Sequence, residues 1–204
     1  MTSTATRVAI VGAGAIARAC AALLARAGHA VALWSPSGTG TRDLQDAPKA
    51  AAAWPTARAA MLAYGGVVEG TAVVAVLDQV ADIASADVVI VALPAPAYAS
   101  VLPRIAPYLR STQMVFVSGA LSLAPLWLAE LAAAQGQRPL MSASGTTVAT
   151  GRTRDGGVVI MTIRTRLGVA ALPVSATAQA IARLSLLFGD RFDAAANVLA
   201  VTLT

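Results

Sequence analysis

One cysteine, Cys20, and one histidine, His29, are all that this 204-residue chain has of either type. A lone cysteine forms no intramolecular disulfide and suits a reducing compartment, so a cytoplasmic location is expected. With one of each there is no zinc constellation, no Cys-His pair and no Ser-His-Asp triad. Charge is scarce, at 12% against about 25% in average proteins, which excludes a solvated disordered tail or an arm built from charge blocks. Aromatics make up 4% and are not interleaved with the basic residues, so nucleic-acid binding is not expected.

Long apolar runs are missing too, despite a mean hydropathy of +0.69. Residues 88–103 are cut by Pro94, Pro96 and Pro103, and residues 111–129 by Ser111, Thr112, Gln113, Ser118, Gly119, Ser122 and Pro125. Neither offers the roughly 20 apolar residues that span a bilayer, so no membrane is expected. The N-terminal apolar run enters a glycine loop and then meets Arg18 and Arg26, which is not a signal-peptide pattern.

What is abundant is alanine, at 49 residues, which inflates the 57% hydrophobic content without supplying bulky core. The length suits about one domain. Fifteen basic residues against ten acidic give +5, and 14 of the 15 are arginines scattered along the chain. Only Arg152, Arg154, Arg164 and Arg166 gather, flanking the apolar stretch 158–163. They read as a solvated hairpin end facing across a strand pair, with a phosphate, carboxylate or acidic-partner site as the alternative.

Short apolar runs bounded by glycine and proline alternate with helical spacing. RVAIV at 7–11 reads as a buried strand, 15–27 as a helix closed by Gly28, and AVALW at 30–34 as the second strand. An alanine-rich helical stretch is expected from about Arg42 to Tyr64, interrupted by Pro48 and Pro55. GVVEGTAVVAVLD offers two short strands, and Asp78 is placed to cap a helix over 79–85. Further strands are expected near 87–93, 114–118 and 139–142, and helices near 96–109 and 123–135. Beyond them, GGVVIMTI and GVAALP read as a strand pair, Ser175 opens a helix through Phe188, and DAAANVLAVTLT starts another. The order predicts an α/β fold: a Rossmann-type, doubly wound, mainly parallel sheet with helices on both faces and a C-terminal strand pair plus helix. The chain is read as a single dinucleotide-binding domain over 1–204, with a core of about 7–142 and an extension of 143–204.

The strand leads through Gly12-Ala13-Gly14-Ala15-Ile16-Ala17 into the first helix, the dinucleotide fingerprint in its G-x-G-x-x-A form. Gly12 permits the tight turn, Gly14 lets backbone approach a pyrophosphate, and Ala17 allows close packing of helix on sheet. An acid at the end of strand two hydrogen-bonds the ribose in NAD-binding proteins, but here Trp34 is followed by Ser35, Pro36 and Ser37, with no acid before Asp43. Hydroxyls at Ser35, Ser37, Thr39 and Thr41, with Arg42 behind them, suit a 2′-phosphate, so NADP is favoured with NAD as the alternative. Trp34 is read as core or as an adenine platform. Leu93 and Pro94 follow the fourth buried strand and Ser118-Gly119 the fifth, at the carboxyl edge beside the nicotinamide. The loop SASGTT at 142–147 is either a further contact or a structural turn. His29 lies on the opposite edge and is not a catalytic candidate, and no residue stands out as a general acid.

The blocks VAIVGAGAIA, ADVVIVALPAPAYASVLPRIAPYL, VFVSGALS, SGTTVATGRTR, and GVAALPVSATAQA with ANVLAVTLT, in that order, resemble the N-terminal domain of the opine dehydrogenase family. That family groups octopine, nopaline and carboxyalkyl amino acid dehydrogenases, relatives of glycerol-3-phosphate dehydrogenase and ketopantoate reductase. The resemblance implies reductive condensation of a 2-oxo acid with an amino acid, with Gly12, Gly14 and Ala17 in the cofactor loop, Pro94 beside the nicotinamide and Gly119 after strand five. Tyr98 stands where family members commonly have a histidine, and Ala143 near a family glutamate. The family's Asn-x-x-x-His motif and helical substrate domain do not follow NVLAVTLT here, so a truncated member lacking its catalytic half is expected, self-associating through Val198 to Leu203. The alternatives are a complete small reductase of the deazaflavin-dependent NADP type, or a non-catalytic nucleotide-binding subunit.

Overall fold

A computed structural model of the chain describes residues 5–48, 54, 56–121 and 123–203. Apolar runs that end at glycine, proline or polar residues become strands, and stretches of helical spacing between them become crossovers. In order these are β1 (Arg7–Val11), α1 (Ala15–Arg26), β2 (Ala30–Trp34), β3 (Gln45–Asp46), β4 (Arg58–Gly66), β5 (Gly70–Leu77), β6 (Val88–Val91), α2 (Tyr98–Ile105), β7 (Met114–Ser118), α3 (Ala124–Ala133), β8 (Leu140–Ser144), β9 (Ala149–Arg154), β10 (Gly157–Ile163), β11 (Leu167–Leu172), α4 (Thr177–Phe188), β12 (Phe192–Ala194) and α5 (Val198–Thr202).

The centre of the sheet runs β8-β7-β6-β1-β2-β5 with every neighbouring pair parallel. This is the expected Rossmann-type doubly wound arrangement, reversing direction between β1 and β6. The two-residue period of β1 sorts the core: Val8 and Ile10 face α1 and α4, whereas Ala9 and Val11 face α2, α3 and α5. At one end β4, β10 and β9 extend the sheet; at the other, β11 and β12 do so. Only residues 164–166 separate β10 from β11, and so short a link spans at most about 14 Å. The two ends of the sheet therefore curl towards one another around α1. That helix packs on β2, β4, β5, β9 and β10, and its alanines let strands approach from several sides: Ala17, Ala19, Ala21 and Ala22 are all fully buried.

Several expectations need correcting. The stretch 42–64 is not helical where it is described: it carries β3 and most of β4, with residues 49–53 and 55 outside the described residues. Along β4, buried Ala60, Leu62 and Tyr64 alternate with half-buried Met61 and Ala63, a strand period that the alanine content hides. β4 and β5 then pair antiparallel from Tyr64 opposite Gly70 to Arg58 opposite Val76. The helix over 79–85 is a 3₁₀ turn, Val80–Ser85, that Asp78 does not cap. With Pro94 and Pro96 before it and Pro107 after it, the helix of 96–109 is shortened to α2, which carries Pro103 within it and is flanked by 3₁₀ turns. β10 and β11 are not a pair: β10 lies between β4 and β9, and β11 between β8 and β12. The four arginines consequently scatter, with Arg152 opposite Val159, Arg154 opposite Gly157, and Arg166 ion-paired to Asp193. At the C-terminal end the Asn197 carboxamide oxygen accepts the Ala200 N–H at 2.9 Å and caps α5. Val198 and Val201 are buried, while Leu199 and Leu203 are exposed.

Candidate functional site

The turn between β1 and α1 is built for close approach. Gly12 has φ +131°, and a Cβ there would lie 2.4 Å from the Ala92 carbonyl oxygen at the end of β6. Its N–H donates to the Trp34 carbonyl at 2.9 Å, joining β1 to β2 at their carboxyl ends. Ala17 sits beneath, its Cβ 3.5 Å from where a Gly12 side chain would start. α1 opens at Gly14 without a side-chain cap and without an acid in its first turn. A Cβ on Gly14 would meet nothing within 4 Å. The positive end of the α1 dipole and its free N–H groups thus face open space, the arrangement that receives a phosphate.

On one side of this turn lies a cleft of about 380 Å³ lined by Gly14, Ala15 and Ile16, by Leu93 and Pro94, and by Ser118, Gly119 and Thr147. Gly119 has φ +67°, and a Cβ on it would press to 2.9 Å from the Thr147 methyl. The Ser118 hydroxyl is buried in the cleft wall with no hydrogen-bond partner among the described residues. A buried polar group without a partner is costly unless a ligand supplies one.

On the other side, a second cleft of about 460 Å³ is lined by Ala13, Thr39, Gly40, Arg42, Asp43 and the hairpin tip at 153–155. Its shape comes from the loop after β2. The Ser35 hydroxyl accepts the Gly40 N–H at 3.0 Å and shares a hydrogen bond with Ser37, whose hydroxyl lies 2.9 Å from that of Thr39. Ser35 is buried, so Ser35 and Ser37 hold the loop against the glycine turn, while Thr39 and Arg42 line the cleft.

Arg18, which sequence reasoning missed, is the buried centre of this side. Its Nε–H donates to the Ala13 carbonyl at 3.0 Å. Its two Nη groups reach both Asp43 oxygens at 2.8 and 2.5 Å, the Gly157 carbonyl at 3.0 Å and the Gly40 carbonyl at 2.8 Å. All five guanidinium donors are used. These hydrogen bonds hold the Asp43 carboxyl below its ordinary range, against a smaller opposing push from burial. The one available signal was an arginine set among alanines on a helix with no polar face.

Other candidates fall away. Trp34 is 3% exposed, and the Arg104 guanidinium covers its ring at 5.0 Å, so it is core and not an open adenine platform. In the 142–147 loop the hydroxyls of Ser142, Ser144 and Thr147 donate to the backbone carbonyls of Val115, Thr146 and Ala149, so they shape the turn, while Thr147 also lines the first cleft. Tyr98 is buried, and burial pushes its phenol up, partly offset by a backbone hydrogen bond from Leu121. His29 lies at the far edge, its Nδ1 without a partner. A crevice of about 470 Å³ beside Arg138 and Arg183 opens near the amino ends of β7 and β8, whereas open α/β sheets bind ligands at the carboxyl edge. Among the described residues no three His, Cys, Asp or Glu side chains gather to hold a metal, and no helix is long and apolar enough to cross a membrane.

A doubly wound sheet with a glycine turn at its switch point, flanked by two clefts, defines an NAD(P)-binding oxidoreductase domain. Residues 7–120 match the family described as NADP oxidoreductase, coenzyme F420-dependent, and the chain belongs to that family. No curated protein sequence matches it. Among solved structures it is similar to octopine dehydrogenase with NADH and pyruvate, at 17% identity and TM-score 0.68, covering 95% of this chain and 51% of that one. A ketopantoate reductase from Ralstonia eutropha JMP134 aligns at 18% identity and TM-score 0.63, over 94% of this chain and 57% of that one. D-mandelate dehydrogenase with NADH and anilino(oxo)acetate aligns at 16% identity and TM-score 0.67, again over 94% and 57%. The chain thus spans about half the length of these structures.

Proposed function

We propose that this chain holds NADP(H) across the glycine turn and presents it for redox exchange with a small keto or imine substrate. The substrate is of the kind formed from a 2-oxo acid and an amino acid, and further catalytic groups come from outside the residues described. The observation that carries this reading is the unpartnered Ser118 hydroxyl, buried in the same cleft that opens at Gly14. Gly12 keeps the turn tight, Gly14 leaves room for a pyrophosphate, and the N–H groups opening α1 take its charge. Leu93 and Pro94 wall the cleft on the β6 side, and the Ser118 hydroxyl is placed to bond a carboxamide. When bound, a nicotinamide supplies or accepts a hydride; the chain's own residues orient it and exclude water from one side. NADP is favoured over NAD because Arg42 and Thr39 line the second cleft while Asp43 is occupied by Arg18.

Calorimetric titration with NADPH and with NADH tests the reading. Saturable NADPH binding, tighter than NADH, is expected, and a chain that binds neither refutes it. The family match favours a second reading, exchange between NADP and a reduced deazaflavin. Mixing the chain with NADP and a reduced deazaflavin distinguishes the two: turnover by the chain alone supports the second reading, whereas the first, whose further catalytic groups lie outside the described residues, expects binding without turnover.

A further inference from the structure

The acid after β2 decides whether a dinucleotide site accepts a ribose hydroxyl or a 2′-phosphate, since a free carboxylate bonds the first and repels the second. The first acid after β2 here is Asp43, nine residues beyond Trp34, brought back against the glycine turn because the loop folds tightly there. A Cβ on Gly40 would lie 2.9 Å from the Ala13 Cβ. Asp43 lines the cleft together with Thr39 and Arg42, and its side chain keeps 36% of its exposure. Its carboxylate is gripped by Arg18 through both oxygens, and one oxygen also accepts the Gly156 N–H at 3.2 Å. Arg18 itself is 4% exposed and has no donor left for a ligand. The cleft's second acid, Asp155, stands exposed at the hairpin tip, where solvent screens it.

Resting on the dinucleotide-site reading above, we infer that Arg18 is the specificity-determining residue of the site. By pairing with Asp43 it cancels the carboxylate nearest the glycine turn, so that Arg42 faces the incoming 2′-phosphate without an opposing charge. Arg18 borders the cleft, but with all its donors occupied within the fold it acts through Asp43. It also holds the Ala13 carbonyl, and through it the Ala13–Gly14 peptide plane, which bears equally on both cofactors. Cofactor preference and overall affinity therefore separate the two roles. The ratio of NADPH to NADH affinity reports the charge at the 2′ position, whereas a loss common to both cofactors reports the turn.

The test is calorimetric titration of NADPH and NADH on the wild-type chain, Arg18→Met, Asp43→Asn and the double variant, with thermal melts to establish folding. Arg18→Met exposes a free carboxylate, and the NADPH to NADH affinity ratio is expected to fall roughly tenfold, the scale of one unit charge acting on another in a partly screened site. The double variant, which removes the freed carboxylate, is expected to recover most of that ratio. Asp43→Asn keeps every backbone acceptor of Arg18 and leaves its charge uncompensated, so the ratio is expected to hold or rise; this variant decides the matter if Arg18→Met does not fold. Equal weakening of both cofactors in Arg18→Met, no recovery in the double variant, or a falling ratio in Asp43→Asn each overturns the inference while leaving the dinucleotide site intact. A wild-type chain that binds neither cofactor overturns the reading of the site and the inference with it.

Discussion

Gly12 and Gly14 lie two residues apart in one turn, yet adding a methyl group to each should do opposite things. An alanine at 12 would need φ +131° and would place its Cβ 2.4 Å from the Ala92 carbonyl oxygen. That backbone conformation costs about 1–3 kcal/mol. Relieving the overlap means parting the ends of β1 and β6, where the Ala92 N–H donates to the Val11 carbonyl at 3.0 Å, a bond contributing about 0.5–1.5 kcal/mol. Together these destabilise Gly12→Ala by about 2–4 kcal/mol, which for a domain of this size lowers Tm by roughly 5–15 °C. At Gly14 the backbone has φ −77°, and the new methyl meets nothing within 4 Å. Reduced freedom of the unfolded chain then favours Gly14→Ala by about 0.4–1 kcal/mol, offset in part by the poorer cap, so its Tm should stay within a few degrees of the wild type. Its NADPH affinity should nonetheless fall more than tenfold, because the methyl fills the space left for the pyrophosphate. Differential scanning calorimetry and titration on the same samples measure both quantities. A Gly12→Ala chain that melts with the wild type, or a Gly14→Ala chain that binds NADPH normally, would refute the reasoning.

Three further tests probe the site and the fold around it. Ser118→Ala removes a buried hydroxyl that has no partner among the described residues, so stability should be unchanged or up by about 1 kcal/mol while NADPH affinity drops severalfold; a clear loss of Tm would show that the hydroxyl is bonded within the fold. Burial lowers the His29 pKa, against a smaller upward effect of a backbone hydrogen bond at Leu186. Below the unfolded value of about 6.5 the unfolded chain takes up a proton more readily than the folded one. Stability should therefore be complete above that pH and decline as pH falls through it, and His29→Gln should flatten this part of a denaturation profile measured against pH. The Cys20 thiol is buried on α1 and pushed up to about 12. Thiol reagents should label it only at the rate of opening, with saturating NADPH slowing the labelling; rapid labelling of the native chain would contradict the enclosure of α1.

The parallel core was legible because its strands are short apolar runs between glycine, proline and polar residues, and such runs leave little else to form. Gly12 and Ala17 were legible for the same local reason: each small residue answers a steric demand within its own turn. β4 was not, because in a segment so rich in alanine the two-residue period of Ala60, Leu62 and Tyr64 has almost no hydrophobic contrast to reveal it. Nor were the partners of β10 and β11. Two strands joined by residues 164–166 read as a hairpin, and only the curl of the sheet brings opposite ends near enough for so short a link. Arg18 was read as a charge that closes an apolar run. Its importance depends on Asp43, Gly40 and Gly157, which lie 22 to 139 residues away and share no pattern with it.

That distance also shows how the later segments serve the turn. The family match ends at residue 120, but the clefts do not: Thr147 and Gly151 line one and residues 153–155 the other. The β9–β10 hairpin is fixed where it is because Gly157 passes so close to β4 that a Cβ there would meet the Ala63 carbonyl oxygen at 2.0 Å. From that position its Gly157 carbonyl accepts from Arg18, and the Gly156 N–H donates to Asp43. A buried arginine is tolerable only when every donor is met, and the minimal βαβ unit supplies too few acceptors to do so. The curl that brings β9 and β10 around α1 therefore does two things at once: it encloses an alanine helix with no polar face, and it supplies the acceptors that let a charged clamp sit beneath the glycine turn.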